Sequence, residues 1–140
     1  VLTHRELIPT PVNEYAQKID EHLAYLRRMA DENVVDRRLA YKARTLWYVA
    51  WYEMDQTLPV PAAAAFTGGP IEFHWEQETH RASVEIPLDG PCHWFYRNTQ
   101  TNEVFGVEVP VDKGLPTLLR KYLARLTPKS RGCKSCLSTI

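Results

Sequence analysis

The chain has little of the vocabulary that marks chemistry or a membrane. No apolar run approaches the roughly 18 residues that a bilayer span requires, so no membrane role is expected. There is no phosphate-binding loop of the Walker type, no GxGxxG, no HExxH and no GxSxG. The one adjacent glycine pair, Gly68-Gly69, is followed by Pro70 and strand-like sequence, unlike a phosphate cradle that opens a helix. Cysteine is scarce and odd in number: Cys92, Cys133 and Cys136. That excludes a self-contained disulfide framework. Cys133 and Cys136 form a CxxC, but a closed zinc site needs about four ligands, and no second pair exists. No metal or cofactor is expected, and Cys133 and Cys136 read as part of a reduced tail. The segment Val1 to Pro9 lacks a basic flank followed by an apolar block, so no signal peptide is expected and cytoplasm is the default location.

What is present fits one α+β domain. The 140 residues suffice for a real core, and 44% apolar with 24% charged residues is ordinary for a globular chain. Zero net charge conceals a division. Residues 1–60 carry 8 Lys/Arg against 9 Asp/Glu, residues 61–112 carry 2 against 8, and residues 113–140 carry 7 against none. The acidic middle and basic end either neutralise each other within the fold or offer two poles to partners.

Apolar periodicity places the helices. After the extended Ile8-Pro9-Thr10-Pro11, Tyr15, Ile19, Leu23, Leu26 and Met29 recur at three- and four-residue steps, predicting a helix over 12–30 with Asn13 as candidate cap. Asp31-Glu32-Asn33 breaks it. A second helix over 34–54 carries Val35, Leu39, Ala43, Leu46, Trp47, Ala50 and Met54, and Tyr48, Trp51 and Tyr52 widen its apolar arc. The short break predicts an antiparallel hairpin, whose helices are also a candidate surface for homo-oligomers. Residues 57–69, with their prolines, four alanines and Gly68-Gly69, read as a linker.

From residue 70 the period falls to two, predicting a four-stranded antiparallel meander over 70–110. The expected register pairs Glu76 with Arg81, Leu88 with Pro91 around an Asp89-Gly90 turn, and Arg97 with Glu103. One face then collects Ile71, Phe73, Trp75, Ala82, Val84, Ile86, Phe95, Phe105, Val107 and Val109, with Phe73, Val84, Phe95 and Phe105 in one row. His93 is the polar exception on that face, expected as a core histidine bonded to backbone. Arg97 and Glu103 form a rim pair. The other face receives Glu72, His74, Glu76, Arg81, Ser83, Glu85, Trp94, Tyr96, Val104 and Glu108, with Glu72 directly opposite Glu85. Either a helix or the basic tail covers that face, or it binds something. A last helix over 114–127, opened by Leu115-Pro116, carries Leu118, Leu119, Tyr122, Leu123 and Leu126 inward. Residues 1–128 are thus read as one domain and 129–140 as a flexible basic tail.

The stretch from Gly69 to Leu126 resembles a loose family of small uncharacterised bacterial proteins. The residues that carry the likeness are Gly69, Ile71, Phe73, Trp75, Val84, Ile86, Asp89, Gly90, Tyr96, Gly106, Leu115 and Pro116. They are turn and core signals, so the resemblance implies a meander followed by a Leu-Pro helix and a bacterial or phage origin, with no activity attached. His74 departs from the pattern, which often has Glu there, and the first third does not match.

The expected function is non-catalytic protein binding through Trp94, Tyr96, Glu72, His74 and Glu85, as an inhibitor, antitoxin-like neutraliser or accessory subunit. The alternative is nucleic-acid binding through Arg120, Lys121, Arg125, Lys129, Arg131 and Lys134, assisted by Arg27, Arg28, Arg37, Arg38 and Arg44. A minor third reading places a metal or an acid–base group at His74 among Glu72, Glu76 and Glu85.

Overall fold

The structure, a computed structural model, describes residues 11–126, with side chains from residue 14 onward. Helix α1 (Pro11–Asp31) and helix α2 (Arg37–Glu53) form the hairpin that the periodicity predicts. Asn13, the expected cap, falls within the bounds of α1. Asn33 turns the chain at φ +60°. The α2 cap is Asp36, whose carboxylate accepts the Arg38 backbone N–H at 2.8 Å. The Arg38 guanidinium, with that N–H, holds the Asp36 carboxyl down to about 2.

The fold is α+β with a five-stranded sheet rather than a four-stranded one, in the order β1-β2-β3-β4-β5 and antiparallel throughout. The extra strand, β1 (Ala62–Ala65), comes from the segment expected to be a linker. Alanine favours helix, but four residues cannot nucleate one, and Pro59 and Pro61 bias their predecessors to extension. Side chains fix the approach: Trp75 Nε1 donates to the Pro59 carbonyl at 2.7 Å, and the Tyr15 hydroxyl donates to that of Leu58. The remaining strands are β2 (Ile71–Gln77), β3 (His80–Ile86), β4 (Cys92–Asn98) and β5 (Glu103–Val109).

The β2–β3 register is the expected one, with Glu76 opposite Arg81. The β3–β4 register is not. Val84 lies opposite Trp94 instead of Phe95, a slip of one residue that turns β4 over. The two-residue Asp-Gly turn does not form: Pro87 and Pro91 flank it, lack an N–H for the ladder and so weaken it. Residues 87–91 make a longer loop instead, held by Lys42 of α2, whose ammonium donates to the carbonyls of Pro87 and Gly90 at 2.7 Å each. The β4–β5 register slips as well, placing Asn98 opposite Glu103. The two slips cancel, so Phe105, Val107 and Val109 keep their expected side. The row Phe73, Val84, Phe95 and Phe105 is therefore corrected. Phe73, Val84, Trp94 and Val107 run across the sheet.

Among the described residues, the helices cover one face of the sheet only. Leu26, Leu46 and Trp47 meet Phe73, Val84 and Trp94 in one continuous core. Trp75 and Trp94 stack with ring centres 6.1 Å apart. After a single 3-10 turn (Val111–Lys113), helix α3 (Thr117–Arg125) closes one end of the core, burying Leu119 and Leu123 and stacking Tyr122 on Tyr96. Glu53 of α2 anchors it by accepting the Leu115 N–H at 2.7 Å. Gly114 is required there: its φ is +70°, and a Cβ would fall 2.3 Å from Glu53 Oε1.

Candidate functional site

The slipped register redistributes the predicted site. Trp94 and Tyr96, expected on the surface, are 0% and 2% exposed. Both lie under the helices, so neither can touch a partner. Burial, and then the neighbouring Tyr122, push the Tyr96 phenol up to about 12, and its hydroxyl meets His80 Nδ1 at 2.6 Å. Glu72, His74 and Glu85 do share the open face, with Glu72 opposite Glu85 as the sequence indicates. His93, expected in the core, is half-buried on this open face and pairs with Glu108 at 2.9 Å. Arg97 does not join Glu103 at a rim. It stands on the open face between Arg81 and Val104.

Three rows of side chains cross that face. The first is acidic: Glu72, Glu85, His93 and Glu108 on successive strands. The middle row is His74, Ser83, Phe95 and Gly106. The third is Glu76, Arg81, Arg97 and Val104. Phe95 is 44% exposed and Val104 75%. The Phe95 ring lies beside Gly106, where a Cβ would stand 3.6 Å from its Cδ1, so the missing side chain leaves the ring room to lie flat. His93 stacks beside Phe95 at 6.2 Å. A shallow depression of about 380 Å³ is lined by His74, Arg81, Ser83, Phe95, Arg97 and Val104.

Ion pairing on the face is incomplete. His74 holds Glu72 at 3.0 Å and Arg81 holds Glu76 at 3.0 Å. Among the described residues, Glu85 and Arg97 have no ion-pair partner, although each sits opposite a like charge. Cross-strand like charges destabilise a sheet by roughly 0.2–1 kcal/mol per pair. No element of the described fold crosses the face to relieve them. The arrangement sought around His74 does not assemble, because Glu76 turns to Arg81. Among the described residues no group of three or more His, Cys, Asp or Glu is placed to hold a metal ion.

The basic residues fall into two places. On α3, Arg120 reaches Glu53 at 3.7 Å and the Arg125 guanidinium lies 5.5 Å over the Tyr122 ring, while Lys121 is exposed. Lys129, Arg131 and Lys134, with Cys133 and Cys136, lie outside the described residues. The second place is a groove of about 320 Å³ between α1 and α2, lined by Arg27, Arg37, Arg44 and Tyr41. Arg37 pairs with Asp31 at 3.1 Å and Arg38 with Asp36 at 2.9 Å. No helix among the described residues is long and apolar enough to cross a membrane.

Sequence reasoning missed Phe95, Arg97 and His93 as the surface of the open face, while Val104 falls on the side expected of it. The one local signal that points to them is the proline pair 87 and 91, which weakens the tight turn without excluding it. No protein-family model, no curated protein and no solved structure matches the chain.

Proposed function

We propose that the chain is a non-catalytic protein-binding module whose contact surface is the uncovered face of the sheet. The observation that carries this reading is charge without an ion-pair partner among the described residues beside exposed apolar surface: Glu85 opposite Glu72, Arg97 opposite Arg81, and Phe95 and Val104 next to them. A protein that sets a basic group on the acidic row, an acidic group on the arginines and an apolar side chain on Phe95 relieves both costs together. Interfaces of this make-up combine an apolar centre with a polar rim. An inhibitor, an antitoxin-like neutraliser or an accessory subunit of a bacterial or phage system would use such a face.

The test is affinity capture with the full chain as bait, with Phe95→Asp run beside it. The expected outcome is a protein retained by the native chain and lost from the variant, while near-UV circular dichroism shows the variant still folded. Equal retention by both baits, or retention of nothing, refutes the reading.

A second reading, nucleic-acid binding, is favoured by a separate observation, the α1–α2 groove with Arg27, Arg37 and Arg44 around it. It weakens because Asp31 and Asp36 already hold two of the neighbouring arginines. A salt titration with generic DNA and RNA decides it: phosphate contacts give affinity that falls steeply with salt, and no binding at low salt removes it.

A further inference from the structure

The sheet ends in two unlike edges. β1 is four residues long and Pro61 precedes it, which are ordinary defences against another strand. β5 has none of these. It is seven residues long, pairs with β4 without interruption, and carries no proline and no lysine. Its outer edge meets no other strand among the described residues. Val104 and Val107 are exposed along it.

We infer that β5 is a self-pairing edge, through which two copies of the chain join their sheets antiparallel about a two-fold axis at Gly106. The strand reads Glu103-Val104-Phe105-Gly106-Val107-Glu108-Val109, and an axis at its centre uses all seven residues. Phe105 then lies opposite the partner's Val107, an apolar pair formed twice on the helix-covered side. Val104 lies opposite the partner's Glu108, and Glu103 opposite the partner's Val109. No like charges meet. Moving the axis to Phe105 leaves Glu108 and Val109 with no strand residue opposite. Moving it to Val107 sets Val104 against the partner's Pro110, which has no N–H to give.

Charge on the open face selects the same partner. Across the seam the order becomes Glu85, His93, Glu108, then the partner's Val104, the partner's Arg97 and the partner's Arg81. Each copy's acidic row thus runs into the other's arginine row. Arg97, which faces Arg81 and pairs with no carboxylate among the described residues, acquires the partner's Glu108 two strand spacings away, about 10 Å between backbones. Its long side chain spans that gap over the valine. Because the axis repeats the contact, the complementarity acts twice.

Strand pairing alone is a small interface, so the dimer dissociates on dilution. It draws on Arg97 and Val104 as the partner reading above does, and the outcomes separate the two: a chain that dimerises yet captures nothing, or captures while monomeric. The experiment is sedimentation equilibrium of the full chain over a concentration series. The native chain should move from 16.2 kDa toward twice that mass by a concentration on the order of 100 µM. Val104→Glu sets like charges opposite each other twice and should raise the dissociation constant about tenfold, within a two- to thirtyfold range for two such contacts. Val104→Lys at the same exposed position should lower it severalfold, and adding Glu108→Lys to Val104→Glu should restore the dimer. Equal constants for Val104→Glu and Val104→Lys overturn the inference, because the seam then lies elsewhere, as on the amino-terminal helices. A chain that holds 16.2 kDa throughout overturns it as well.

Discussion

Replacing His22 with leucine should remove most of the acid sensitivity of this fold between neutral pH and pH 4. His22 is 5% exposed on the inner side of α1. Its ring stands edge-on to Trp47 at 5.1 Å and to Phe73 at 4.9 Å, and its Nε2 has no hydrogen-bond partner. Lys18 and Glu21, one charge of each sign, line the cavity beside it. Burial disfavours the imidazolium and lowers the pKa from 6.5 to about 4. Above pH 6.5 the ring is neutral in folded and unfolded chains, so it leaves stability unchanged. Between 6.5 and 4 the unfolded chain takes a proton that the folded chain refuses. Stability then falls by about 1.4 kcal/mol per pH unit, reaching roughly 3 kcal/mol at pH 4. Below that both states are charged and the loss levels off. Denaturant unfolding of the native chain and His22→Leu at a series of pH values measures the difference directly. The variant's advantage should grow by that amount as the pH drops. Parallel curves from pH 7 to 4 would mean that the ring titrates freely in the folded chain, and its burial between Trp47 and Phe73 would be refuted.

Three further substitutions probe the sheet. Trp94→Ala should cost about 3–5 kcal/mol and Phe95→Ala only about 1 kcal/mol, as befits a buried and a half-exposed aromatic; urea melts that reverse the order would restore the register rejected above. Lys42→Met removes the donor that holds the 87–91 loop and should cost about 1.5–3 kcal/mol, with faster amide exchange at the β3–β4 pairing; an unchanged melt would show that the prolines alone define the loop.

Much of the fold is legible in the residues because it rests on local period. The stripes of α1, α2 and α3 come from side chains spaced by one helical turn, and the four longer strands from strict alternation. The β2–β3 register is legible because its two-residue loop, Glu78-Thr79, leaves one pairing. The face of β5 is correct for the wrong reason, since two slips cancel. What is illegible is long-range. The position of β4 depends on Lys42 reaching the Pro87 carbonyl 45 residues away, and no local pattern encodes that contact. The strand formed by four alanines is likewise imposed by Trp75 and Tyr15 from outside the segment. The site follows the same division. Glu72, His74 and Glu85 sit on strands whose register is local and share the face that the sequence indicates, whereas Trp94 and Tyr96 sit on the strand whose register is not.

The ammonium clasp over the third hairpin has a kinetic corollary. A nascent β3–β4 ribbon lacking α2 has two alignments one step apart: Asp89-Gly90 favours the tight turn, Pro87 and Pro91 oppose it, and neither signal decides alone. In the tight-turn alignment the indole of Trp94 points to water while Phe95 points inward, leaving a sticky intermediate. Commitment to the native alignment therefore waits for helix docking. The slow event in refolding should be this long-range closure rather than hairpin formation.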